Sequence, residues 1–144
     1  MFLKTVQYQI ELSQQLLDVG SAFSWLNDRE GGGKVIFTGH VRENLASKKV
    51  LFLEFEAYEP MALKEMEKIA CHALANWSLL KVVILHRLGR VEVGELPVLI
   101  GVTAAHLQAA CNAAQYLIDT LKESIPIWKR EYYEDGAVWV SAHP

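Results

Sequence analysis

Cysteine is scarce in this chain. Its 144 residues hold two, Cys71 and Cys111, each inside a helical apolar pattern and neither in CxxC spacing. That excludes a disulfide framework and a cysteine-built metal site, and it reads both residues as buried thiols suited to a reducing compartment. Positive charge is not in surplus either: 14 Lys and Arg stand against 17 Asp and Glu, a formal net charge of -3. A general nucleic-acid surface needs a basic face, so any anion site here has to be local. No uninterrupted apolar run reaches the ~18 residues of a membrane span. Lys4 followed by polar Gln7, Gln9 and Glu11 does not make a signal peptide, so the expected location is cytoplasmic. There is no repeat, low-complexity tract or linker, and a half-apolar chain of this length is expected to form one domain, residues 1–144.

What is present begins with alternation over Thr5–Ile10, which predicts a strand. Ser13 or Ser21 can cap short helical turns that carry Leu16, Leu17, Phe23, Trp25 and Leu26 inward. The Gly31-Gly32-Gly33 triplet has no helix behind it and lacks the lysine and hydroxyl residue of a phosphate loop, so it reads as a flexible turn. Strands are expected over Val35–Val41 and Val50–Tyr58, with a mobile polar loop, Glu43–Lys49, between them. Pro60 opens a helix through Asn76 on which Met66, Ile69, Ala70, Ala73 and Leu74 face inward. Strands follow at Leu80–Leu85 and Pro97–Ala104, with Gly94-Glu95 in the turn between. A second helix is expected over His106–Lys122, burying Leu107, Ala110, Cys111, Ala114, Leu117 and Leu121. Ile125-Pro126 stops it, Ile127–Tyr132 runs as a strand to an Asp135-Gly136 turn, and Val138–Val140 closes the hairpin. Strands with two interspersed helices and hairpins indicate an α+β fold rather than a doubly wound sheet, with a small β subdomain over His86–Pro97.

The densest chemistry lies in Pro126-Ile127-Trp128-Lys129-Arg130-Glu131, with Lys122 upstream. Three cations around an aromatic in an acidic protein suit an anion, and lysine becomes a usable acid, base or amine when neighbours or burial lower its pKa. The plainer alternative is a solvated edge strand with Trp128 plugging the core. Arg42, at the end of an apolar strand, is placed for bidentate phosphate contact, or for a salt bridge with Glu43. His106 heads the second helix, where free amides favour an anion, or serves only as a local cap. His86, Glu92 and Glu95 sketch a hydrolase or metal trio, but they lack HExxH spacing and no serine elbow accompanies them.

Five motifs in chain order settle between these readings: Phe37-Thr38-Gly39-His40-Val41-Arg42, Leu53–Tyr58 with Met61-Ala62, His86-Arg87-Leu88-Gly89 with Gly94-Glu95, Ala105-His106, and the Lys122 and Lys129 segments. In this order they resemble the MoaE family, the large subunits of molybdopterin synthase, from about Trp25 to Trp139. The resemblance implies an α/β-hammerhead fold and an enzyme, a sulfurtransferase that converts cyclic pyranopterin monophosphate to molybdopterin. Its sulfur would come from the thiocarboxylated Gly-Gly tail of a small ubiquitin-like subunit of the MoaD type. A homodimer would lie at the centre of a heterotetramer, with no metal and no cofactor. Lys122 and Lys129 are then the catalytic pair, and His40, Val41, Arg42, His106, Lys122, Lys129, Arg130 and Glu131 bind substrate, some of them across the dimer. Arg87 is implied to hold its turn with Glu95 rather than touch substrate. This chain departs from the pattern at Leu107, where the family has arginine, and at His40, where lysine is common. A borrowed cation from the second subunit would then replace the missing guanidinium. Leu107 also keeps open a non-catalytic homodimer that only holds a pterin or a ubiquitin-like tail.

Overall fold

The computed structural model describes residues 1–45 and 47–141. Its first sheet has the order β1-β2-β6-β8-β3, built from β1 (Phe2–Lys4), β2 (Tyr8–Ser13), β6 (Lys81–Arg87), β8 (Val98–Ala104) and β3 (Gly33–Gly39). Only β2 and β6 run parallel; the other pairs are antiparallel. Central β6 is buried on both faces, which is why it reads as an unbroken apolar run. Val82 and Ile84 join the main core under α2 (Glu59–Asn76) and α3 (Leu107–Ser124), while Val83 and Leu85 join a smaller cluster with Ala22 and Leu26 around α1 (Val19–Trp25). Pro60 sits in the first turn of α2, where a missing N–H is no loss.

The second sheet has the order β10-β9-β5-β4, from β10 (Val138–Ser141), β9 (Ile127–Tyr133), β5 (Lys48–Ala57) and β4 (Asn44–Leu45), with β7 (Gly89–Glu92) also paired to β5. Leu53, Phe55, Ile127 and Tyr133 turn into the main core. The middle of the expected β subdomain, Gly89–Glu92, thus becomes a strand of this sheet. The α+β class read from the sequence holds.

Several local expectations are corrected. Thr5–Ile10 is not one strand: Thr5 Oγ1 accepts from the backbone N–H groups of Gln7 and Tyr8, and this turn separates β1 from β2. Leu16 and Phe23 are exposed rather than inward, and the Lys34 ammonium lies 3.7 Å from the Phe23 ring centroid. Within Glu43–Lys49, β4 pairs with the start of β5 as a tight hairpin; Ala46 lies outside the described residues. Cys71 and Cys111 are exposed, not buried. Ala62, Ala70 and Ala73 are buried on α2 and Ala110, Ala113 and Ala114 on α3, where the two helices pack together, and Cys71 and Cys111 lie next to buried positions on the outward side. Leu107, in the first turn of α3, is 64% exposed.

The glycine triplet is a close approach rather than a loose turn. Gly32 donates its N–H to Ala104 O at 2.9 Å, and a Cβ there would stand 2.1 Å from the backbone oxygen of Ala105. Gly94, at φ +86°, has nothing within 4 Å of its Cβ position. Gly32→Ala should therefore cost about 3 kcal/mol, the upper range of overpacking against backbone, and Gly94→Ala about 1 kcal/mol for the left-handed backbone alone. Chemical-denaturation midpoints of the two variants check this order.

Candidate active site

Antiparallel pairing puts Gly39 of β3 opposite Val98 of β8, and α3 runs back along both strands, so the C-terminal turn of α3 meets the C-terminal end of β3. A cavity of about 220 Å³ opens at that junction. His40, Val41 and Arg42 line it from the end of β3, Ile118, Leu121 and Lys122 from α3, and Lys129 from β9. Phe37, Leu53, Phe55 and Val98 supply an apolar wall. Three cations converging on an apolar cavity suit a flat ligand with an anionic group, since charge-assisted bonds strengthen where water is excluded.

The register of β9 against β5 selects which cation enters. Lys129 pairs with Phe55 and Glu131 with Leu53, so both share the inward face. Lys129 Nζ lies 3.6 Å from Glu131 Oε1, with both side chains largely covered. Arg130 is on the opposite face, where its guanidinium meets Glu56 at 3.0 Å and Glu54 at 3.6 Å. Trp128 is on that outer face too, edge-on to Tyr58. Neither Arg130 nor Glu131 lines the cavity.

A backbone brace holds the Arg42 segment. Val41 N–H donates to Glu95 O at 3.0 Å, and Gly94 N–H donates to Val41 O at 2.9 Å. His40 Nδ1 lies 3.3 Å from Gly94 O, a carbonyl that can only accept, so Nδ1 carries a hydrogen, and Nε2 lies 3.0 Å from Thr38 Oγ1. The Gly94-Glu95 turn is fixed in turn by Arg87, only 7% exposed, which donates to Glu95 Oε1 at 3.2 Å and to Arg90 O at 3.0 Å. The Glu92 backbone N–H and then Arg87 hold the Glu95 carboxyl below the usual carboxylate range. Arg87 acts structurally, as the resemblance implied.

His106 occupies the N-cap position of α3 without a side-chain capping bond and is exposed; Lys122 lies 16 positions further on, about 24 Å along the helix axis. One protomer therefore does not bring His106 to its own cavity. Leu107 points away from the core and is not in the cavity wall. Among the described residues no three His, Cys, Asp or Glu side chains cluster to hold a metal, and Glu92 is engaged by Arg90 instead of His86. Sequence reasoning missed two parts of the site. Ile118 stands one turn before Lys122, which helical spacing alone would have placed beside it. His86 lines the cavity from β6, fully buried, with Nδ1 2.7 Å from Arg87 O and its ring edge-on to Phe55.

Burial pushes His86 down to about 4, against the opposing pull of the Arg87 carbonyl. A histidine held neutral in the fold stabilises it fully above the unfolded value near 6.5, and that contribution is lost as pH falls toward 4. Wild-type stability should therefore drop by about 3 kcal/mol more than that of His86→Gln between pH 7 and pH 4. Urea melts across that range test it; parallel curves would place the acid sensitivity elsewhere.

The fold and site define an α+β protein with a cationic, apolar-walled cavity where a helix ends between two sheets. Comparison with known proteins makes this specific. The family described as MoaE protein matches residues 12–124. The molybdopterin synthase catalytic subunit of Dictyostelium discoideum is 40% identical over 131 residues, covering 89% of this chain and 82% of that protein. The one from Pyrococcus abyssi is 38% identical over 123 residues, covering 85% and 83%. The Drosophila willistoni relative is 45% identical over 133 residues, yet this chain spans only 36% of its length. Molybdopterin synthase from Staphylococcus aureus superposes with a TM-score of 0.86 at 34% identity, covering 92% of this chain and 96% of that one. The chain belongs to the MoaE family.

Proposed function

We propose that this chain is the catalytic large subunit of molybdopterin synthase. It binds cyclic pyranopterin monophosphate and installs the two dithiolene sulfurs, each taken from the thiocarboxylated Gly-Gly tail of a small ubiquitin-like subunit. The observation that carries this reading is the convergence of Arg42, Lys122 and Lys129 on one apolar-walled cavity in a chain that is otherwise acidic. An anionic tail and a cyclic phosphate repel each other; convergent cations neutralise both and hold the reacting atoms together. Arg42 takes the phosphate, with the His40–Val41 backbone beside it. Of the two lysines, one donates a proton to the departing oxygen and the other polarises the thiocarboxyl carbonyl. No metal or cofactor has a part in this chemistry. Catalysis takes place in the cytoplasm, in keeping with a chain whose described residues include no helix long and apolar enough to cross a membrane.

His106 and Arg130 enter the scheme through the second copy of a homodimer that carries one small subunit at each end. His106 is exposed at the far end of α3, and a two-fold arrangement can present it to the neighbouring cavity, where a borrowed cation stands in for the arginine replaced by Leu107.

Lys122→Ala and Lys129→Ala should each lower dithiolene formation at least about a hundredfold while the fold survives. Mixing inactive Lys122→Ala and His106→Ala proteins, with subunit exchange, should restore about one quarter of wild-type sites, because half the dimers are mixed and each rebuilds one intact site. No recovery on mixing would place His106 outside the neighbouring cavity, and wild-type turnover in a lysine variant would remove that lysine from the chemistry.

A further inference from the structure

Lys129, Glu131 and Tyr133 occupy alternate positions of β9, so their side chains share the face that turns toward the core. The Tyr133 hydroxyl donates to Glu131 Oε2, while the other oxygen of the same carboxylate, Oε1, lies 3.6 Å from Lys129 Nζ. One carboxylate is thus held from one side by a phenol and faces an ammonium on the other. The terminal torsion of a glutamate is broad, and lysine carries its charge on a flexible four-carbon stem, so neither fixes the other unaided. Tyr133 is the rigid member. The residue is 6% exposed, its N–H donates to Ala137 O at 3.0 Å, its carbonyl accepts from Gly136 N–H at 3.1 Å, and the Lys48 ammonium lies 5.6 Å from the ring centroid.

We propose that Tyr133 is a positioning residue for Lys129: its hydroxyl locks the Glu131 carboxylate, which holds Lys129 Nζ at one point on the cavity wall. This rests on the reading of Lys129 as catalytic. The bond to Glu131, with burial, pushes the Tyr133 phenol up to about 12, so it remains a donor throughout the neutral range. The hairpin bonds of Tyr133 are made by its backbone, so Tyr133→Phe removes the hydroxyl and leaves the turn intact.

The test is a double-mutant cycle in the reconstituted synthase, with thiocarboxylated small subunit and cyclic pyranopterin monophosphate. Tyr133→Phe should lower kcat about tenfold with KM within about twofold, the signature of lost orientation rather than lost binding. In a Glu131→Ala background the same substitution should have no further effect. Unchanged kcat in Tyr133→Phe, or an equal loss in both backgrounds, overturns the proposal; the second result would mean that Tyr133 acts through the fold at large. A readout independent of turnover is the 13C signal of reductively dimethylated Lys129, which should move in Tyr133→Phe and not in Tyr132→Phe. An unmoved signal overturns the proposal whatever the activity. A Tyr133-dependent signal in a wild-type protein that forms no dithiolene supports the contact and overturns the synthase reading instead.

Discussion

The register of the antiparallel β5–β9 ladder is the constraint on which the site depends. Because successive strand residues point to opposite faces, Lys129 and Arg130 cannot both reach the cavity. Pairing Phe55 with Lys129 turns Lys129, Glu131 and Tyr133 inward and leaves Trp128, Arg130 and Tyr132 outside. A slip of one residue would exchange the two sets. Register is pinned from both faces: Leu53, Phe55, Ile127 and Tyr133 bury in the core, while Arg130 meets Glu54 and Glu56 and Tyr132 stacks on Phe52 outside. The outer ion pairs are substantially exposed, so each adds little to stability, and a slip of one residue in either direction would take Arg130 away from its place opposite Glu54 and turn the apolar set out of the core.

The other side of the cavity is set from beneath. Arg42 is exposed and makes no ion pair of its own among the described residues, as suits the phosphate-binding role proposed for it. Its position comes instead from the turn that Arg87 and Glu95 hold against Val41. Burying a guanidinium is costly unless its donors are met; the two terminal nitrogens of Arg87 meet one carboxylate and one carbonyl, while its buried Nε has no partner among the described residues. The paired His86-Arg87 residues thus serve opposite ends of one job, the arginine bracing the rim and the neutral histidine filling the floor.

Much of this was legible in the sequence. Continuous apolar runs gave β6 and β8, Pro60 and Pro126 marked helix boundaries, and the motifs named the family before any geometry was known. Lys122 and Lys129, 7 positions apart with a helix end and a proline between them, do meet at one cavity with His40, Val41 and Arg42. What could not be read was facing. On α3 the buried set is Ala110, Ala113, Ala114, Leu117 and Leu121, which leaves Cys111 and Leu107 outside although their hydropathy suggested the reverse. On β9 the choice between Lys129 and Arg130 is made by the partner strand, not by either residue. The distance of His106 from Lys122 follows from helix length, but whether a second copy closes that gap is a property of an assembly and not of one chain's pattern.

The central claim is that this cationic cavity carries out sulfur insertion and does not merely hold a ligand. The most direct measurement is to incubate the chain with thiocarboxylated small subunit and cyclic pyranopterin monophosphate, and to quantify dithiolene formed against thiocarboxylate consumed. The account predicts molybdopterin formation with two thiocarboxylates consumed for each pterin converted. Tight binding of the pterin and of the tail with no dithiolene formed would contradict it, and would make the chain the binding module that Leu107 first suggested.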